Sequence, residues 1–233
     1  MTTIEATKPI SVEENKKDEG ITILQISIYA VFGLLLSTLT LPFILPGLIA
    51  STVGDQPKVF WYLSRGTATA SFLFLWLSMV LGLLITSKTA KFYPGAFTAN
   101  DLHQFVSIAG LLTGTIHAVL LLGDQYFKVN ITHLLIPFSI STYRPIWVGV
   151  GQLAFYIWVI LVGSFYLKKQ IGYKAWRALH LVSFLIFAAS LAHGITSGTD
   201  TSNVWMQGMY WVSGGSILML TIYRMLAKVV SQE

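Results

Sequence analysis

The sequence predicts an all-α membrane protein, a bundle of six transmembrane helices, and three observations carry that expectation. Hydrophobic residues make up 54% of the chain and charged residues only 11%, about half the charged share usual in a soluble domain. The apolar residues run in stretches of about 20, the length that crosses a bilayer core, instead of alternating with polar ones. Lys and Arg collect at the ends of those stretches, as they do where a chain leaves a membrane.

The elements follow in order. Residues 1–20, "MTTIEATKPISVEENKKDEG", are polar and mixed in charge. They lack the basic start and short apolar core of a signal peptide and read as a disordered cytoplasmic tail. Apolar spans come next near 22–50, 62–87, 102–123, 145–167, 176–198 and 205–227, so the membrane domain is about 21–228 and 229–233 is a short C-terminal tail. The first span holds Pro42 and Pro46 and is expected to end or kink there. The connection 125–144, with its apolar "HLLIPF", suggests a short segment lying on the outer interface. Trp61, Tyr62, Tyr143, Trp147, Trp176 and Trp205 fall at span ends, as an aromatic belt would.

Charge sets the expected orientation. Of the 15 basic residues, only Lys58, Arg65, Lys128 and Arg144 fall outside the tail, the 2–3 and 4–5 connections and the C-terminal end. The positive-inside rule then puts both termini in the cytoplasm, and spans three and five run parallel, inside to outside. The same loops account for the net charge of +5, so no nucleic-acid partner is needed to explain it.

Spans three and five carry an unusual feature. "DLHQFVSIAGLLTGTIHAVLLLGD" holds His103 and His117, and "WRALHLVSFLIFAASLAHG" holds His180 and His193. Ionisable groups inside a bilayer are costly and are usually functional. Fourteen helical residues rise about 21 Å and bring His103 and His117 onto one face to within roughly 40°. With parallel spans, His103 faces His180 and His117 faces His193. Paired imidazoles at two levels of a helical bundle are what two bis-histidine haem b groups require, one per leaflet, stacked between spans three and five. The chain has no cysteine, which excludes disulfides, Cys-based zinc sites, iron–sulfur clusters and c-type haem attachment. The 13-residue spacing in span five leaves its two rings about 140° apart on an ideal helix. Either that helix is distorted, with Ser190 and Gly194 as local candidates, or the two rings approach their haems from different sides.

Two neighbours fit the same picture. Gly110 lies seven residues from both His103 and His117, where glycine lets a flat macrocycle approach the backbone; a plain helix–helix contact is the alternative. Phe187, seven residues after His180, is suited to packing between the two haems or simply to the core. His133 lies in the outer connection and reads as a surface residue, with contact to a substrate metal as the alternative.

These fragments, together with "WYLSRGTATASFLFLWLSMVLGLL" and "YRPIWVGVG", resemble the ferric reductase-like transmembrane domain, which is shared by ferric reductases, NADPH oxidases and a group of bacterial haem membrane proteins. The resemblance spans about residues 20–228, and the 14- and 13-residue histidine spacings are part of it. It implies transmembrane electron transfer, from a cytoplasmic donor to the inner haem on His103 and His180, then to the outer haem on His117 and His193, then to an acceptor beyond. Arg65 matches a family arginine expected near a haem propionate. Arg177 is a candidate for the inner propionates, and for both arginines interfacial snorkelling is the alternative.

The larger family members carry a flavin and nicotinamide domain, and no glycine-rich dinucleotide fingerprint occurs here. The expected donor is therefore a separate cytoplasmic flavin reductase or a membrane quinol, with flavin or quinone on the partner. The chain is expected to act as the membrane subunit of an oxidoreductase, in a bacterial plasma (inner) membrane among its lipids, with an outer acceptor the sequence leaves open. A rival from another class is a non-redox transporter or scaffold whose histidines relay protons.

Overall fold

The computed structural model describes residues 28–29, 31–33, 36, 58–87, 89, 95–124 and 127–230. Among these, every regular element with described bounds is a helix: α1 Val59–Thr86, α2 Ala96–Leu120, α3 Ile131–Leu135, α4 Pro145–Ile171, α5 Tyr173–His180, α6 Ser183–Ser197 and α7 Val204–Val230. A 3₁₀ turn, Leu121–Gly123, continues α2.

Among the described residues four stretches are long and apolar enough to cross a membrane: Val59–Thr86, Phe97–Gly123, Pro145–Ile171 and Tyr173–Ser197. They correspond to predicted spans two to five, with ends displaced by a few residues. The tail 1–20 and most of predicted span one, with Pro42 and Pro46, lie outside the described residues. Predicted span six is the 27-residue helix α7. It is less apolar than the other four because Gln207, Ser213, Ser216, Arg224 and three glycines dilute it. Its helix runs to Val230, so the last helical residues enter what the sequence assigns to the tail.

The burial pattern is that of a helical membrane protein. Leu73, Leu77, Val159, Ile160, Leu185 and Leu218 are exposed, whereas Ser64, Ser71, Ser78, Thr113, Ser164 and Ser213 are buried. Lipid-facing surfaces stay apolar, and small hydroxyl residues let helices approach and hydrogen-bond inside. Helix α1 is central. It packs along α2 and touches α6 and α7, while α4 packs on α5 and α6. The core between them gathers Phe72, Leu75, Met79, Trp158, Ile186 and Phe187.

The α1–α2 register is set by a stripe of serines. Ser64, Ser71 and Ser78 recur every seven residues on one face of α1. They meet His117, Gly110 and His103, which recur every seven residues on antiparallel α2. A period of seven repeats the same helix face to within about 20°.

Span five is not one continuous helix. Gly172, at φ +85°, ends α4 and starts α5, a backbone state that glycine reaches without strain. After His180 the chain tightens at Leu181 and Val182. There the N–H groups of Leu181, Val182 and Phe184 bond three residues back, to Ala178, Leu179 and Leu181. Each 3₁₀ residue turns about 120° instead of 100°. Three of them shift the following helix by roughly 60°, reducing the 140° offset between His180 and His193 to about 80°. The expected distortion thus sits directly after His180, while Ser190 and Gly194 lie within regular α6.

Candidate functional site

At one end of the bundle, His103 of α2 faces His180 of α5. Their ring centres are 6.0 Å apart and the planes are 72° from parallel. His103 Nδ1 lies 2.9 Å from the Ser78 carbonyl oxygen. A carbonyl only accepts, so Nδ1 carries the proton and Nε2 is the unprotonated nitrogen. His180 is held differently, stacked on Trp176 at 5.1 Å with planes 28° apart.

At the other end, His117 of α2 and His193 of α6 line one cavity of about 440 Å³, within the range of cofactor pockets. His117 Nδ1 donates to the Ser64 carbonyl at 2.9 Å. His193 Nδ1 donates to the Trp147 carbonyl at 2.9 Å. Gly151 makes that second arrangement possible: a Cβ there would come within 2.5 Å of His193 Nδ1.

The connection 127–144 closes over this end. Asn130 caps α3 by accepting from the His133 N–H at 2.9 Å. Two side chains of α4 then hold the carbonyl end of α3. Gln152 Nε2 donates to the His133 carbonyl at 2.8 Å, and the Tyr156 hydroxyl donates to Leu135 at 2.7 Å. Phe138, at φ +64°, lays its ring against Gly149, where a Cβ would meet it at 2.1 Å. His133 lines the same cavity as His117 and His193, so it is not simply a surface residue.

Arg65 also lines this cavity and ion-pairs with Asp200 in the turn after α6, its Nε donating to Oδ2 at 2.8 Å. Its guanidinium lies 5.7 Å from the centre of the Trp61 ring. Arg177 is exposed and lies over Tyr173 at 5.8 Å.

Between the two ends, Phe187 is buried and stacks on Phe72 at 5.9 Å. The surface over Gly110 is taken by Trp158 of α4, whose ring would lie 2.7 Å from an added Cβ. Gly110 therefore serves a helix–helix contact, the alternative its sequence position allowed.

The histidines come in pairs. Among the described residues no group of three or more His, Cys, Asp or Glu side chains converges. Two imidazoles alone are a poor cage for a bare ion, but they suit a metal whose other positions a macrocycle already fills. Imidazoles on opposite sides of one metal, with bonds of about 2 Å, have ring centres roughly 6 Å apart, close to the His103–His180 spacing. Three of the four Nδ1–H groups bond to backbone carbonyls, the usual outer support of a metal-ligating histidine. Nε2 of those three rings has no hydrogen-bond partner among the described residues. The buried Gln152 Oε1 and Ser197 Oγ, which line the cavity at the His117 end, also have no partner. At the His117 end donor chemistry and cavity size both fit haem, and at the His103 end the fit rests on the paired imidazoles alone.

The sequence reading missed Asp200, the serine stripe and Gly151. A signal existed for two of them. Asp200 is the only acid between Asp124 and Glu233, and the serines repeat the heptad of the histidine helix. Comparison of the chain with protein-family models, with curated proteins and with solved structures finds no match.

Proposed function

We propose that the chain is a dihaem b-type cytochrome that carries electrons across a membrane as the haem-bearing subunit of an oxidoreductase, built on a six-span bundle. The observation that supports this most is the pairing of histidines at two levels of parallel spans, with Nδ1 of His103, His117 and His193 tied to backbone carbonyls. His103 and His180 hold the inner group, and His117 and His193 the outer. Haem, when bound, supplies an iron that gains and loses one electron.

The chain's residues fix the ligand nitrogens, exclude water and place the two sites end to end. The buried Phe72, Trp158 and Phe187 fill the space between them with polarisable rings. Arg65 stands at the outer site with a cation for a propionate. At the inner end, Lys168, Lys169, Lys174 and Arg177 offer a basic surface beside His180 for an acidic flavin reductase. A quinol at the interface is the second donor class. The acceptor meets the chain at the outer end.

The test is haem content in four single variants. H103A and H180A should each lose one haem of two and keep the other spectrum, and H117A and H193A should do the same for the second haem. A colourless wild-type protein, or four variants with unchanged haem, would remove the cytochrome reading and leave the proton-relay transporter in its place.

A further inference from the structure

We propose that Ser64 and Ser78 are positioning residues that set the donor strength of the axial imidazoles, one serine for each haem, and so lower the reduction potential of each iron; this rests on the dihaem reading.

The geometry is specific. His117 Nδ1 lies 2.9 Å from the Ser64 carbonyl and also 2.9 Å from Ser64 Oγ. Ser64 Oγ in turn donates its own proton to the His117 carbonyl at 3.2 Å. With that proton committed, the hydroxyl meets the imidazole as an acceptor. The single Nδ1–H is therefore shared between two oxygens of one residue.

The inner site repeats the device with one more link. His103 Nδ1 lies 2.9 Å from the Ser78 carbonyl and 3.2 Å from Ser78 Oγ. Ser107 Oγ donates to the His103 carbonyl at 2.6 Å, and Ser78 Oγ donates to Ser107 Oγ at 2.6 Å. Each hydroxyl proton here has its own acceptor, and Ser78 Oγ again faces Nδ1 with a lone pair.

Both serines are buried, at 2% and 6% exposure, where low dielectric strengthens such bonds and chains of them polarise one another. Two acceptors on one N–H draw its proton away from the ring and raise the basicity of Nε2. A more basic ligand favours ferric over ferrous iron.

Ser71 is a built-in control. It lies on the same stripe but faces no imidazole, and its Oγ donates to the Gly110 carbonyl at 2.8 Å. Alanine at 64 or 78 keeps the backbone carbonyl that orients the ring and removes the second acceptor, together with the hydroxyl's own bond to the His117 carbonyl or to Ser107 Oγ.

The experiment is a potentiometric titration of the haem-loaded full chain, wild type against S64A, S78A and S71A, with each haem assigned through the single-histidine variants. S64A should favour reduction of the outer haem by about threefold to tenfold in equilibrium constant, the upper end being roughly 59 mV upward, and leave the inner haem unchanged. S78A should do the reverse, S71A should leave the inner haem unmoved and shift the outer, whose cavity Ser71 lines, by much less than S64A does, and S64T and S78T should restore the wild-type values. Two haems with unmoved potentials in S64A and S78A would overturn the proposal. So would equal shifts in S71A, or loss of a haem from S64A or S78A that threonine does not repair. A wild-type chain without haem would instead fail the cytochrome reading itself.

Discussion

The two ends of the bundle hold the same kind of side-chain pair by different means. At the His117 end both imidazoles are fixed by N–H···O=C bonds, and a strained, hydrogen-bonded connection lies over them. At the His103 end one imidazole is fixed that way, while His180 leans on Trp176 directly before a tightened turn. The first end relies on hydrogen bonds beside a partly open cavity, and the second on stacking and a helix break. The difference teaches that the imidazoles on unbroken helix are oriented here by backbone carbonyls. Where the helix is interrupted, an aromatic neighbour does the orienting.

The largest test of that contrast uses two glycines. A Cβ on Gly151 would sit 2.5 Å from His193 Nδ1, whereas one on Gly82 would meet His103 Cε1 at 3.4 Å. G151A should therefore displace His193 and empty most of the outer site, and G82A should leave the inner site filled. Haem quantification resolved into the two components checks this; equal losses in both variants would erase the distinction.

A smaller effect is expected from D200N. It removes the charged partner of Arg65 in a pair whose side chains are both about one-third exposed. Solvent screening holds the cost to about 1 kcal/mol, read as lower thermal stability with the inner haem spectrum unchanged. The smallest belongs to the indole N–H of Trp176. Its Nε1 has no hydrogen-bond partner among the described residues, so W176F should alter stability by no more than about 0.5 kcal/mol. W176L, which removes the stack on His180, should cost about 0.5–1.5 kcal/mol and broaden only the inner haem's low-temperature resonance.

What could be read from the sequence follows from which chemistry has a residue identity. The helical class and spans two to five were legible because apolar runs report burial in lipid directly, and the four histidines because charge in such runs is rare. The 13-residue spacing left a distorted span five or rings approaching from different sides, and the place of the distortion was not legible, since "HLVS" contains no proline or glycine to mark a 3₁₀ turn. The carbonyl of Trp147 was invisible for a general reason: any residue there supplies the same acceptor. Gly110 misled because one small residue serves equally a macrocycle or an indole, and only the packing shows that Trp158 fills the place. Arg65 was legible as a cation near the outer pair, while its partner needed the fold to bring Asp200 back across 135 residues.

The most direct measurement is a dithionite-reduced minus oxidised spectrum of the purified full chain, with haem b quantified per polypeptide. Two b-type haems per chain is the result this account predicts, one for each histidine pair. A folded, haem-supplied preparation that binds none would contradict it.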